Sequence, residues 1–117
     1  MTDILVTLSS GTGREGFVRH LLNHEWEHVF VVTTAAIAQD FSCNKPCTFI
    51  IVDENQKLPH MRSAVQTQMG HVNGVEIALN LSAGTGKMAM ASLSAIMRAG
   101  LGLRLVSYTK EDGVQEV

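Results

Sequence analysis

The sequence predicts an α/β protein in which a mostly parallel sheet of about five to six strands carries helices on both faces. Short apolar runs alternate with helical patterns along the chain, and the composition is 45% hydrophobic with only 5% aromatic residues. Strands that alternate with helices are typical of parallel sheets whose crossover helices cover both faces. The length of 117 residues suits a single domain over residues 1–117 with one core.

The first half of the chain contains three predicted strands. Residues 4–8 form a short apolar run, of the kind that a strand buried on both faces produces. A turn over residues 9–13 follows, and residues 14–23 then carry a helical stripe of apolar side chains. The remaining elements of this half are a second strand, a weak alanine-rich segment and a third strand, over residues 29–32, 34–40 and 48–52.

The second half continues the same alternation. Pro59 stands at a first-turn position, where its missing N–H costs nothing, and apolar residues at positions 61, 65, 69 and 72 continue that helix. The later elements are a fourth strand, a helix that Gly100 ends and a fifth strand, over residues 75–81, 87–98 and 103–107. We expect the tail over residues 110–117 to be frayed.

Charge, hydropathy and cysteine content exclude several classes of protein. The net charge is −2, whereas a domain that neutralises many phosphates of duplex nucleic acid is basic, so we expect no duplex partner. No run approaches the roughly 20 apolar residues that span a bilayer, and the N-terminus lacks a signal-peptide layout. We therefore expect no membrane association. Cys43 and Cys47 are too few for a disulfide framework, and we interpret them as reduced thiols in a cytoplasmic protein.

A short repeat carries the functional prediction. Residues 4–14 (ILVTLSSGTGR) and 77–87 (IALNLSAGTGK) align without a gap as strand, serine, small residue, Gly-Thr-Gly, basic residue and helix. Glycines let the backbone approach a ligand, and a helix N-terminus supplies unpaired N–H groups and the positive end of its dipole. In parallel sheets, ligands collect where the strand order reverses. If the first and fourth strands are neighbours, both turns therefore open into one anion-binding crevice.

Polar side chains accompany both turns. Arg14 and Lys87 add positive charge, and the hydroxyl donors are Ser9, Ser10, Thr12, Ser82 and Thr85. A single glycine-rich turn is often no more than a connection between a strand and a helix. Two copies, each with hydroxyls and a cation, favour a binding site, although they do not name the anion.

Three familiar motifs are matched only in part. Residues 11–16 fit the G-x-G-x-x-G fingerprint of dinucleotide sites, but the second strand ends without the acidic residue that binds the ribose. Residues 81–88 have leucine and methionine where the phosphate loop of ATPases has its first glycine and its magnesium-binding hydroxyl. Residues 24–28 match H-E-x-x-H, but the helix ends near Asn23, so we expect a solvated connection with Trp26 covering the edge of the core. We therefore expect no cofactor and no metal.

Two segments give the chain a resemblance to a known family. One is the end of the opening strand, residues 8–12 (LSSGT), and the other is residues 80–91 (NLSAGTGKMAMA). The chain is similar here to the CRISPR-associated Rossmann-fold (CARF) domains, which have an Asn-x-[Ser/Thr]-x-Gly-Thr-Lys-x-Met-type segment between a late strand and its helix. The sequence departs from this pattern by placing Gly86 between Thr85 and the lysine.

The resemblance implies a Rossmann-like homodimer that binds cyclic oligoadenylate, a ring of 3′–5′-linked adenylates made as a second messenger in antiviral defence. Two anion turns per subunit give four per two-fold dimer, which matches the four phosphates of cyclic tetra-adenylate. The implied ligand-binding residues are Ser9, Ser10, Gly11, Thr12, Gly13, Ser82, Ala83, Gly84, Thr85, Gly86 and Lys87.

Three functions are compatible with the sequence. Because the last predicted strand ends near residue 107, we expect no effector domain. The first function is a ring nuclease that destroys the messenger without a metal. The resemblance places its catalytic role on Ser10 or Ser9 and on Lys87, with Arg14 a further candidate and no base evident apart from His20. The second is a sensor that acts through a separate partner chain, and the third is an unrelated Rossmann-like protein for another nucleotide or phosphometabolite.

Overall fold

The predicted α/β class and the mostly parallel sheet are confirmed. The computed structural model describes residues 2–10, 13–42, 45–70 and 76–117. Within these residues, the strands are β1 Asp3–Thr7, β2 Val29–Thr33, β3 Thr48–Ile51, β4 Glu76–Asn80, β5 Gly102–Thr109 and β6 Gly113–Glu116. The helices are α1 Glu15–Leu22, α2 Ala35–Asp40, α3 Leu58–Met69 and α4 Gly86–Arg98.

The sheet has the strand order β3-β2-β1-β4-β5-β6. The first five strands pair in parallel, and β6 pairs antiparallel with β5. The chain therefore builds outward from β1 to β3, crosses back to β4 on the other side of β1, and continues in the opposite direction. The strand order reverses between β1 and β4, as the prediction of a shared crevice required.

The helices cover both faces of the sheet. Leu5 of β1 packs into the cluster that contains the buried side chains of α3 and α4. Ile4 and Val6 point to the other face and pack with α1. All five residues of β1 are buried, as expected for the central strand of a parallel sheet. In the described part of the chain, no helix is long and apolar enough to cross a membrane.

The expectation of a frayed tail is wrong, because residues 113–116 form β6. The segment turns back after β5, with Gly113 at a φ of 70°, and Tyr108 pairs with Val114. Both side chains pack against the cluster that α1 covers. A hairpin closes over a short loop, so one packed valine and the pairing with β5 suffice to order a segment without a periodic apolar pattern.

The expectation of reduced cysteines is also wrong at Cys47, which is disulfide-bonded. Cys43 lies outside the described residues. A pair of cysteines rules out a framework of several bridges, but it does not rule out a single disulfide bond.

Most predicted boundaries hold to within a few residues. The helix α1 ends at Leu22, so residues 24–28 lie outside it, as predicted. Trp26 packs at the edge of the core and donates from Nε1 to the Leu21 carbonyl at 2.9 Å. After α4, Gly100 takes a φ of 76°. Val72 and Val75, predicted as parts of a helix and a strand, lie outside the described residues.

Candidate anion-binding site

The two glycine-rich turns meet at the carboxyl ends of β1 and β4. The backbone N–H of Ser9 donates to the Ala83 carbonyl at 3.0 Å. Arg14 Nη2 donates to Ser82 Oγ at 3.3 Å. Two turns that are more than 60 residues apart in sequence are thus joined by a backbone and a side-chain hydrogen bond. Gly11 and Thr12 of the first turn lie outside the described residues.

Hydrogen bonds to β2 fix the start of the first turn. The N–H of Leu8 donates to the Val32 carbonyl at 2.9 Å. The Leu8 carbonyl in turn accepts from Thr33 Oγ1 at 2.7 Å, and Thr33 is fully buried. These hydrogen bonds to β2 therefore fix the position of Leu8, from which the chain enters the first turn. Gly13 then takes a φ of 67°, a conformation that favours glycine, before the helix begins.

The second turn presses its backbone against the end of β1 at Gly84. A Cβ at this position would lie 2.5 Å from the Cβ of Thr7 and closer still to Thr7 Oγ1. Thr7 is fully buried, and its hydroxyl has no hydrogen-bond partner among the described residues. Only glycine permits this approach, which explains one of the glycines in the repeat.

Asn80 at the end of β4 holds the second turn to β5. Its Nδ2 donates to the Val106 carbonyl at 2.8 Å. Its Oδ1 accepts from the N–H of Ser82 at 3.2 Å and from Ser82 Oγ at 2.8 Å. The side chain is buried. Asn80 thus has a structural role in this chain, because it orients Ser82 toward Arg14.

Replacing Asn80 by alanine is expected to lower the free energy of unfolding by about 2–3 kcal/mol, since three hydrogen bonds are lost and the Val106 carbonyl loses its partner. Urea denaturation measures this change. The matched control is Asn55→Ala, at an exposed position, which should change stability by no more than about 0.5 kcal/mol. Equal stability of the two variants would contradict the role of Asn80.

The N-terminus of α4 is better suited to an anion than that of α1. Thr85 caps α4 by accepting from the N–H of Met88 at 3.1 Å, which leaves the amides of Gly86 and Lys87 without intrahelical acceptors. The first turn of α4 contains no acidic residue. The first turn of α1 contains Glu15, whose carboxylate already compensates the positive end of that helix.

The two predicted cations belong to the two turns, but their side chains contact different parts of the chain. Arg14 contacts Ser82, and its guanidinium lies 4.2 Å from the centre of the Phe17 ring. Lys87 Nζ donates to the Glu54 carbonyl at 3.0 Å, in the loop between β3 and α3. The acceptor in this contact is an uncharged carbonyl oxygen and not a carboxylate.

The predicted ligand-binding residues divide by exposure. Ser10, Ser82 and Gly86 are exposed, whereas Ser9 and Ala83 are buried. The hydroxyl of Ser9 lies 3.5 Å from the Ala83 carbonyl. Ser9 and Ala83 therefore hold the two turns together, and the polar groups that face solvent belong to the other positions.

An aromatic cluster beside Arg14 had no assigned role in the sequence analysis. The rings of Phe17 and Tyr108 meet edge to face, with their centroids 6.4 Å apart. His20, considered above only as a candidate base, stacks on Tyr108 with centroids 5.4 Å apart and rings 5° from parallel. Tyr108 is the one tyrosine of the chain and lies next to the last residue of β5, at the edge of the sheet where the turns lie. Its position near the end of a predicted strand is the sequence feature that could have pointed to it.

The fold and the site together define a Rossmann-like α/β domain in which two glycine-rich turns meet at the reversal of strand order. No family model and no curated protein matches the chain.

Proposed function

We propose that this chain binds cyclic oligoadenylate, with cyclic tetra-adenylate as the preferred ring, in the crevice between β1 and β4. The observation that carries this proposal is the contact between the two similar turns at the carboxyl ends of neighbouring strands. Their hydroxyls, cations and helix N-termini support a ligand that carries several phosphates. The resemblance to CARF domains supplies the class of ligand.

Each protomer binds two adjacent phosphates of the ring. One phosphate accepts from the amides of Gly86 and Lys87 and from the Lys87 ammonium, at the end of a helix without a competing carboxylate. The other lies at the first turn, beside Arg14 and the Ser10 hydroxyl. A two-fold partner provides the same groups for the remaining two phosphates, so a homodimer completes the site.

The proposed reaction is cleavage of the ring to linear products, as in a ring nuclease. A ribose 2′-oxygen attacks the adjacent phosphorus, its proton passes to a base, and the bond from phosphorus to the 5′-oxygen breaks. The 5′-oxygen takes up a proton, and a 2′,3′-cyclic phosphate remains. The protein contributes by holding the ring in line for this attack and by stabilising the developing negative charge through Lys87 and Arg14.

The test is to mix the purified protein with radiolabelled cyclic tetra-adenylate or cyclic hexa-adenylate in EDTA and to follow binding and products over time. Linear tetra-adenylate and AMP serve as controls for recognition of a ring. We expect tighter binding of the cyclic tetramer than of either control, followed by products that end in a 2′,3′-cyclic phosphate.

The other outcomes separate the alternatives. Tight binding without products would leave the binding proposal intact and overturn the proposed cleavage, as for a sensor that acts through a partner chain. Binding of AMP as tight as that of either ring would indicate a site for mononucleotides. Binding of neither ring would overturn the proposed function.

A further inference from the structure

The aromatic cluster of Phe17, His20 and Tyr108 begins at the cation of the first turn. Arg14 donates from Nη2 to Ser82 Oγ at 3.3 Å, and its guanidinium carbon lies 4.2 Å from the centre of the Phe17 ring. The Phe17 ring contacts the Tyr108 ring, and Tyr108 stacks with His20. One arginine therefore connects the two glycine-rich turns with a set of three rings.

The positions of α1 and β5 explain why the rings lie beside the turns. Phe17 and His20 follow Arg14 at spacings of three, which makes them neighbours along the surface of α1. Tyr108 follows Val106 by two positions, so both side chains point to the face of the sheet that α1 covers. The Val106 carbonyl accepts from the side chain of the last residue of β4. Tyr108 therefore lies just beyond the end of β4, next to the second turn.

The fold makes no use of the polar groups on two of these rings. Among the described residues, neither the ring nitrogens of His20 nor the Tyr108 hydroxyl has a hydrogen bond or an ion pair. His20 is exposed and Tyr108 is half-buried. Rings with a structural role usually have the polar group bonded, as Trp26 does through its N–H to the Leu21 carbonyl. The stacked pair therefore keeps an aromatic face available to a ligand.

A nucleotide has the matching pair of groups, an anionic phosphate and a planar base. Aromatic side chains bind bases by stacking, and every base has a π-face that suits this contact. We propose that His20 and Tyr108 form the subsite for a nucleobase whose own phosphate lies at Arg14. The base stacks on the face of the His20 ring that is turned away from Tyr108, and Tyr108 supports the imidazole from behind. This inference rests on the proposed function, since the base belongs to the same ligand.

The subsite predicts a different behaviour for His20 from that of a general base. A stacking residue contributes through its ring, so alanine weakens binding and phenylalanine restores it. A general base contributes through a ring nitrogen at the step of proton transfer, so alanine leaves the affinity for the ligand unchanged. Measurements of affinity for His20→Ala and His20→Phe therefore separate the two roles.

Isothermal titration calorimetry with cyclic tetra-adenylate measures these affinities. We expect His20→Ala to raise the dissociation constant by roughly 5- to 100-fold, as for the loss of one base–aromatic stack, and His20→Phe to stay within about twofold of the wild type. The matched control is His24→Ala, at the other end of α1, where the imidazole lies at the same centroid distance of 5.4 Å from Trp26. Wild-type affinity in His20→Ala, or an equal loss in His24→Ala, would overturn the subsite.

Adenosine, which has the base without a phosphate, separates a failure of this subsite from a failure of the proposed function. The ring protons of His20 and Tyr108 would be followed by NMR spectroscopy during titrations with adenosine and with cyclic tetra-adenylate. We expect both probes to shift the signals of these two rings and to leave those of His24 unchanged.

The remaining outcomes are distinct. If cyclic tetra-adenylate binds without shifting the ring signals of His20 and Tyr108, the subsite is overturned and the proposed function stands. If adenosine shifts these signals but no cyclic oligoadenylate binds, the subsite stands for another nucleotide and the proposed function is overturned. The absence of a shift with either probe would overturn the subsite.

Discussion

Replacing Gly84 by alanine is expected to lower the free energy of unfolding by about 3 kcal/mol, at the upper end of the range for overpacking a core. The added methyl group would overlap Thr7 Cβ, which is fixed to the central strand and cannot rotate away. Either β1 or the second turn must then shift, and the Ser9–Ala83 hydrogen bond that joins the two turns is the first to be strained. Urea denaturation measures the loss.

Gly86→Ala is the matched control, two residues further along the same turn. A Cβ at Gly86 would meet nothing within 4 Å, and alanine is a better helix former than glycine. This variant should be as stable as the wild type or more stable by up to about 1 kcal/mol. If both alanine variants were equally stable, the close approach of Gly84 to β1 would be wrong.

Replacing Lys87 by alanine is expected to weaken the binding of cyclic tetra-adenylate by roughly 10- to 100-fold, which corresponds to the loss of one charge-assisted hydrogen bond to a phosphate. The fold should be unaffected, because Lys87 is partly exposed and its observed partner is a single carbonyl oxygen. Isothermal titration calorimetry measures the change in dissociation constant.

Arg98→Ala provides the control for charge. Arg98 lies on the same helix, at the end opposite the crevice, and its loss changes the net charge of the chain by the same amount. Affinity should stay within about twofold of the wild type, since screening at physiological salt limits the reach of an exposed charge to about 8 Å. A similar loss of affinity in both variants would assign the effect to net charge and not to the site.

The fold was predictable because local patterns agreed with the global arrangement. Local sequence contains the apolar runs at β1 and β4. It also contains Pro59, which marks the start of a helix, and Gly100, which marks the end of one. The strand β6 was not predicted, because it is stabilised by pairing with β5 and has no periodic apolar pattern of its own. The disulfide at Cys47 was missed for a related reason, since the number of cysteines does not determine whether they meet.

The site was predictable in its location but not in its details. The repeat identified both turns, and the adjacency of β1 and β4 followed from the general topology of doubly wound sheets. The burial of Ser9 and the direction of Lys87 depend on Ala83 and on the Glu54 carbonyl, which come from other parts of the chain. Tertiary contacts of this kind decide which serine is accessible, and they cannot be predicted from a short sequence motif.

Amide chemical shifts test most directly whether the two turns bind one ligand together. Cyclic tetra-adenylate would be titrated into the ¹⁵N-labelled wild-type protein. We predict that the amide of Gly13 in the first turn and those of Ser82, Gly86 and Lys87 in the second move with the same apparent dissociation constant. Changes confined to one turn, or largest at residues away from the carboxyl ends of β1 and β4, would contradict a shared site.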